Sequence, residues 1–330
     1  MAAIRLGIIG AGIIVRDSHV PILKKLSRKF RVVAVADNVR QNAGHVAGMF
    51  PNKVAIHEDY RHLLDLPEVD TVLIAVPPFL TAQITTDALR AGKHVLAEKP
   101  MANTVAEALR LVRVWRESGC KYMVGEQFFF GRAFERLREM ARADDWPFGR
   151  PQMVELHQFW KMSPLTIAKY YHSPWRHDKR LTWGYLLEGG CHTANPLREA
   201  FGMPRNIQSR LLSVDKALGV ADTIIANFDF PRKIACHLVM AYGFKSQSGS
   251  MLEIFAKAGT ITLAADYSRL LFAGEDGREW SEDVRDELGS MHREWLHFFD
   301  VVANDKPLQL TPEQTRDDLV FVQRLIDAAN

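Results

Sequence analysis

From residue 4 onward, short apolar runs alternate with stretches whose apolar residues return every three or four positions. "IRLGIIG" (4–10) is a strand candidate, and residues 13–28 follow it with apolar positions at Val20, Ile22, Leu23 and Leu26. A second strand is predicted over "FRVVAVAD" (30–37), and "VAIHEDYRHLLD" (54–65) runs from a short strand into a helix. "VDTVLIAVP" (69–77) is another buried strand, followed by the helical stretch "LTAQITTDALRAG" ending at Gly92. Then come "KHVLAEK", a helix over "TVAEALRLVRVWRESG" (104–119), and "KYMVGEQ" (121–127). Near-continuous Val/Ile/Leu strands separated by helices predict a parallel sheet covered on both faces.

The pattern changes after about residue 150. "PQMVELHQFW", "IQSRLLSV", "DTIIANFDF", "KIACHLVMAY", "SMLEIFAK" and "GTITLA" follow one another with turn residues between them and little helix. Successive strands with short links predict a largely antiparallel sheet. The polar residues inside "IIANFDF" fit a sheet with one face more exposed than the other. The closing "TPEQTRDDLVFVQRLIDAA" (311–329) is a predicted helix: Thr311 caps it, Pro312 suits the first helical position, and Gln314 completes a capping box.

The chain has 330 residues, 47% apolar and 25% charged, which fits a folded α/β protein of one large unit or two domains. A net charge of +3, with no block of Lys or Arg, gives no argument for a nucleic-acid partner. Cys120, Cys191 and Cys236 are far apart and show no metal-binding spacing, so a reduced cytoplasmic compartment is expected and no metal is. No run approaches the ~20 apolar residues of a membrane span, and the N-terminus lacks the layout of a signal peptide. There are no repeats and no low-complexity segment.

"GIIGAGIIV" (7–15) puts Gly10 and Gly12 directly after the first strand. A dinucleotide needs glycines there so that backbone N–H groups can approach its pyrophosphate at a helix N-terminus. Val15 stands at the third fingerprint position, where Gly or Ala is usual. Asp37 closes the second strand and is placed to accept hydrogen bonds from a ribose. Its carboxylate would repel a 2′-phosphate, so NAD is expected over NADP, with Arg40 as a partial counterweight. The plainer alternative is a tight turn and a solvated Asp.

The second chemical signal is "AGKHVLAEKPMA", in which an apolar strand ends at Glu98, Lys99 and Pro100. Together with "GIIGAGIIVRDSHVPIL", "VAVAD", "WRHDKRLTWGYLLEGGCHTANPLREAFG" and "LEIFAKAGTITL", it resembles the glucose–fructose oxidoreductase / inositol dehydrogenase / rhizopine catabolism (Gfo/Idh/MocA) family over essentially the whole chain. The resemblance implies a Rossmann NAD(P)-binding domain, 1–124, and a C-terminal α+β domain, 125–330, with an open, mainly antiparallel sheet. The second domain would bind substrate and form a homodimer or homotetramer through its sheet. Helix 311–329 is assigned to it, with packing back on the first domain as an alternative. The activity implied is oxidation or reduction of a sugar, cyclitol or glycoside.

Residue by residue, Lys99 matches the family's catalytic lysine, preceding a peptide bond that is cis in many members. His192 in "EGGCHTAN" matches the acid/base histidine. Glu188 stands where an aspartate is common, and Asn195 replaces another. Thr81 and Phe129 replace a frequent histidine and arginine. The cofactor set implied is Gly10, Gly12, Ile13, Ile14, Asp37, Asn38, Val76, Pro77, Pro78, Thr81, Glu98, Lys99 and Gln127.

Alcohol oxidation needs a base for the hydroxyl proton, and a histidine with an ordinary pKa of ~6.5 suits that task. An ammonium beside the oxygen stabilises developing negative charge. Lys99 and His192 fit those two roles. Glu188, four residues before His192, shares its face if the segment is helical or turns tightly, and is a third catalytic candidate that could bind a substrate hydroxyl, orient the imidazole or raise its pKa. "YYHSPWRHDKR" (170–180) is dense in aromatics and cations that suit a polyhydroxylated ligand. From it and its surroundings, Trp160, Tyr171, Trp175 and Arg176 are substrate candidates, with Gln127, Lys99, Glu188 and His192; packing is the alternative for each. Cys191 reads as a small packed residue. Two further activities follow from the resemblance: a glycosidase working by transient oxidation and elimination on NAD, and a non-catalytic dinucleotide-sensing regulator.

Overall fold

The computed structural model describes residues 3–165, 168–246 and 251–329; Ser250, at the start of "SMLEIFAK", lies outside them. The chain clusters into two compact units, Met1–Gly125 with Met291–Arg316, and Glu126–Ser290 with Asp317–Asn330.

Unit 1 is built on a six-stranded parallel sheet. Its strands are β1 (Ile4–Ile9), β2 (Phe30–Ala36), β3 (Ala55–His57), β4 (Thr71–Ile74), β5 (His94–Glu98) and β6 (Tyr122–Gly125). Their order across the sheet is β3-β2-β1-β4-β5-β6, so the order reverses between β1 and β4. Helices α1 (Val20–Lys25), α2 (Arg40–Gly48), α3 (Tyr60–Leu64), α4 (Pro78–Arg90) and α5 (Val105–Ser118) connect the strands. Every residue of β4 and β6 is buried, as a parallel sheet with covered faces requires. Local signals set the ends of α5: Thr104 and Glu107 form a capping box, and Gly119 takes the left-handed conformation after the last turn.

Unit 2 contains α6 (Arg132–Ala143), α7 (Ala168–Tyr171), α8 (Gly184–Phe201) and an eight-stranded mixed sheet. Its strands are β7 (Pro151–Phe159), β8 (Arg205–Leu212), β9 (Thr223–Phe230), β10 (Ile234–Ala241), β11 (Met251–Ala256), β12 (Gly259–Leu263), β13 (Arg269–Gly274) and β14 (Glu279–Asp283). They lie in the order β14-β13-β12-β11-β7-β10-β9-β8; all neighbours are antiparallel except β7 and β10. Burial alternates along β9 and β10, with Ile224, Ala226, Phe228, Leu238 and Met240 inward and Ile225, Asn227, His237 and Val239 on the more open face. Two helices close the chain, α9 (Ser290–Ala303) and α10 (Pro312–Asp327). The expected capping box of α10 is formed: Gln314 N–H donates to Thr311 Oγ1, and Thr311 N–H to Gln314 Oε1 at 2.8 Å. Within unit 2, Phe321, Val322, Leu325 and Ile326 of α10 join the core under the sheet. Among the described residues no helix is long and apolar enough to cross a membrane.

Candidate functional site

In unit 1, the expected cofactor residues before Gln127 gather where the parallel strands end. Gly10, Gly12, Ile13 and Ile14 follow β1; Asp37 and Asn38 follow β2; Val76, Pro77, Pro78 and Thr81 follow β4; Glu98 ends β5 and Lys99 follows it. This is the carboxyl edge of the sheet around the point where strand order reverses, the usual ligand position in such folds. Gly10 has φ +90°, and a Cβ there would stand 2.2 Å from the Ala75 carbonyl oxygen, so only glycine fits. At Gly12 a Cβ would meet nothing within 4 Å, leaving the backbone of the turn open on that side.

Asp37 is held in place by its own neighbours. Oδ2 accepts from Ala11 N–H at 2.7 Å and Oδ1 from Val39 N–H at 2.8 Å. A carboxylate has about four lone-pair sites, so acceptor capacity remains for a ribose hydroxyl. An open glycine turn at the start of a helix, beside a fixed carboxylate, fits a dinucleotide. Arg40 pairs with Glu58 at 3.4 Å on the surface. Thr81 is buried in the first turn of α4, with its hydroxyl 3.5 Å from the Pro77 carbonyl oxygen.

The Lys99–Pro100 peptide is cis. Glu98, the residue before Lys99, belongs to a hydrogen-bonded chain. Trp295 Nε1–H donates to His19 Nδ1 at 3.0 Å, and His19 Nε2 lies 2.9 Å from Glu98 Oε1. An indole N–H can only donate, so His19 accepts at Nδ1, carries its proton on Nε2, and donates to Glu98. Glu98 Oε2 accepts from the Lys99 backbone N–H at 3.2 Å.

In unit 2, Glu188 and His192 are one turn apart on α8 but face different partners. His192 Nδ1 is 2.6 Å from Glu126 Oε1, and both side chains are buried. The contact to Glu126 is made at Nδ1, the ring nitrogen nearer the backbone, and not at Nε2. The Phe128 ring stands edge-on to the imidazole, 4.7 Å between centroids, and the Phe128 N–H donates to the same Glu126 oxygen. Glu188 instead makes a two-pronged pair with Arg176: Nε donates to Oε2 at 2.9 Å and Nη2 to Oε1. The Arg176 guanidinium lies 4.1 Å from the Trp175 ring. The imidazole is thus held by Glu126, a residue that the sequence reading left without a role. The available signal was a carboxylate directly after four buried residues of β6, a costly position unless it is paired.

The other expected residues are placed separately. Trp160 is exposed after β7, Tyr171 directs its hydroxyl to Asp215 at 3.4 Å, and Gln127 opens a short 3-10 turn. Asn195 donates to Asp318 Oδ2 at 2.8 Å, and Arg198 Nε to Asp318 Oδ1 at 2.5 Å. Burial pushes the Asp318 carboxyl up to about 7, against the pull of Arg198. Cys191 is buried, with its thiol directed to the Leu187 carbonyl. Gly189 lies so close to Tyr242 that a Cβ would fall 1.8 Å from the phenol oxygen. Pro196 has no N–H to donate to the His192 carbonyl one turn back.

Comparison with known proteins agrees with this architecture. Residues 4–126 match the model of the oxidoreductase family with an NAD-binding Rossmann fold, and residues 134–262 match the Gfo/Idh/MocA C-terminal domain. The chain belongs to the Gfo/Idh/MocA oxidoreductase family. It is 37% identical over 303 residues to inositol 2-dehydrogenase 1 of Saccharopolyspora erythraea, covering 88% of this chain and 83% of that one. The crystal structure of an oxidoreductase from Thermotoga maritima superposes with a TM-score of 0.91 at 29% identity, covering 99% and 97% of the two chains. A 3-ketoreductase from Actinomadura kijaniata, solved with TDP-benzene and NADP, shares the fold at 20% identity, with a TM-score of 0.83 and coverage of 99% and 98%. Family membership makes NAD(P) the cofactor of the Rossmann unit.

Proposed function

We propose that this chain catalyses reversible oxidation of a secondary alcohol on a sugar, cyclitol or glycoside, with NAD preferred over NADP. The observation that carries the reading is the buried His192, anchored through Nδ1 by Glu126. In the oxidative direction Nε2 takes the proton of the substrate hydroxyl, and in the reductive direction it returns it. Lys99 stabilises the charge developing on the same oxygen. NAD, when bound, supplies the hydride acceptor.

Gly10, Gly12, Ile13 and Ile14 bind the pyrophosphate, and Asp37 with Asn38 the adenosine ribose. Val76, Pro77, Pro78, Thr81, Glu98 and Gln127 complete the cofactor set. Trp160, Tyr171, Trp175, Arg176 and Glu188 contact the substrate, Arg176 and Glu188 acting as a pair. The half-exposed face of the unit 2 sheet, with Ile225 and Val239 among polar neighbours, supports assembly into a homodimer or homotetramer. Sedimentation at several concentrations tests that assembly.

A panel of cyclitols, sugars and glycosides with NAD and NADP, followed by absorbance of the reduced cofactor, tests the function. Lys99→Ala and His192→Ala should each lower turnover by at least ~10² on the substrate found. Wild-type turnover in either variant would sink the assignment. A glycoside cleaved without net reduced cofactor would point instead to transient oxidation. Cofactor binding without turnover across the panel would point to a sensor.

A further inference from the structure

The carboxylate that could serve His192 from its own helix, Glu188, is engaged by Arg176. The carboxylate that reaches the imidazole lies on another element, 66 residues earlier in the sequence. Glu126 lies immediately after β6 and is 2% exposed. It accepts the Phe128 N–H, which ties the carboxylate to the 3-10 turn that it begins. The acid is therefore fixed by the backbone, and the imidazole is fixed by the acid and by the edge of Phe128.

We propose that Glu126 is the positioning residue of the acid/base histidine: it holds the proton of neutral His192 on Nδ1 and so keeps the Nε2 lone pair ready to accept a proton. This rests on the function proposed above. An ionised carboxylate only accepts, so a hydrogen bond from Nδ1 requires the proton to sit there. When Nε2 gains a proton the ring becomes cationic, and Glu126 supplies the adjacent negative charge within a buried setting, where such a pair is stronger than in water. Polar groups near the pair make hydrogen bonds of their own. Asp318, on α10, accepts from Arg198 and Asn195 of α8. Arg138 of α6 is buried and donates to the Phe129 carbonyl at 2.7 Å. Gln158 and Thr193, near His192, hydrogen-bond to each other.

Nitrogen-15 NMR of histidine-labelled wild-type protein reads the tautomer without any substrate. The expected result is His192 protonated at Nδ1 when neutral; protonation at Nε2 would overturn the proposal. Glu126→Gln offers an amide that can donate to Nδ1, and should move the proton to Nε2 while lowering kcat by about 10²–10⁴, with KM and the Kd for NAD within about threefold of wild type. Glu126→Asp should recover a substantial part of kcat. Wild-type kcat in Glu126→Gln, or an unchanged tautomer, would also overturn it. If no alcohol is oxidised by the wild type, the function fails, but the tautomer measurement on the wild type still decides the role of Glu126.

Discussion

The two sheets bury their side chains in different ways, and that difference separates the two parts of the chemistry. In unit 1 the strands are parallel and both faces are covered, so Leu73 and its neighbours in β4 are wholly enclosed. What a covered parallel sheet leaves accessible is its carboxyl edge, and the expected cofactor residues of this unit lie along it. In unit 2, burial alternates along the strands, one face carries the core and the other is half open. The acid/base candidate there sits on α8, on the core side, where a polar group persists only with a partner. His192 has Glu126, and Glu188 has Arg176.

Substitutions can break this contrast. The largest stability effect should come from Gly10→Ala, which forces a side chain into a φ of +90° and against a main-chain oxygen. Loss of more than about 4 kcal/mol, or no folded protein, is expected in urea titration. Gly12→Ala is the control, since its Cβ meets no protein atom: folding should be near wild type while NAD affinity falls, measured by calorimetry. Folding loss in both variants, or in neither, would contradict the account of the turn.

Leu73→Ala, in the closed sheet, should cost about 2–5 kcal/mol through a buried cavity. Trp295→Phe keeps the aromatic packing but removes the donor to His19 Nδ1, at a cost of about 1–3 kcal/mol, with the His19 tautomer no longer fixed. Asp318 gives a pH signature specific to unit 2. Burial raises its folded value to about 7 from 3.8, so the folded state binds the extra proton between those limits. Its contribution is complete below the unfolded value and is lost as pH rises through 7. Asp318→Asn should flatten that fall in stability between about pH 4 and 7, by up to about 4 kcal/mol, in melts at stepped pH. A wild-type slope in the variant would exclude Asp318 as its source. The smallest effect belongs to Leu271→Ala, exposed on β13, at under about 0.5 kcal/mol for the single chain.

Much of this was legible before any coordinates because the signals are local. Five of the six parallel strands announced themselves by apolar runs, the half-buried β3 only as a short lead into a helix, and α10 by Thr311, Pro312 and Gln314. Other features escaped, helices α6 and α9 among them. The α8 helix carries Gly189, Gly190 and Pro196, residues that weaken a helical pattern, and its packing against α6 and the sheet overrides them. Strand β14, EWSED, is polar and almost wholly exposed and so lacks an apolar run, while β13, RLLFAG, has only a four-residue apolar run, too short to distinguish a strand from a helix by periodicity. The clustering of residues 291–316 with unit 1 left no mark in their sequence, because an amphipathic helix does not specify which core it joins.

By itself the sequence determined which segments become strands, where glycine must allow a turn, and which residue types could carry proton and charge. Those follow from backbone sterics and from periodicity within a few residues. Only the tertiary structure decided which carboxylate serves which partner. Glu188 is four residues from His192 and turns to Arg176, while Glu126 is far away in sequence and meets the imidazole. A hydrogen bond is decided by position and direction over about 3 Å, and sequence separation carries no information about either.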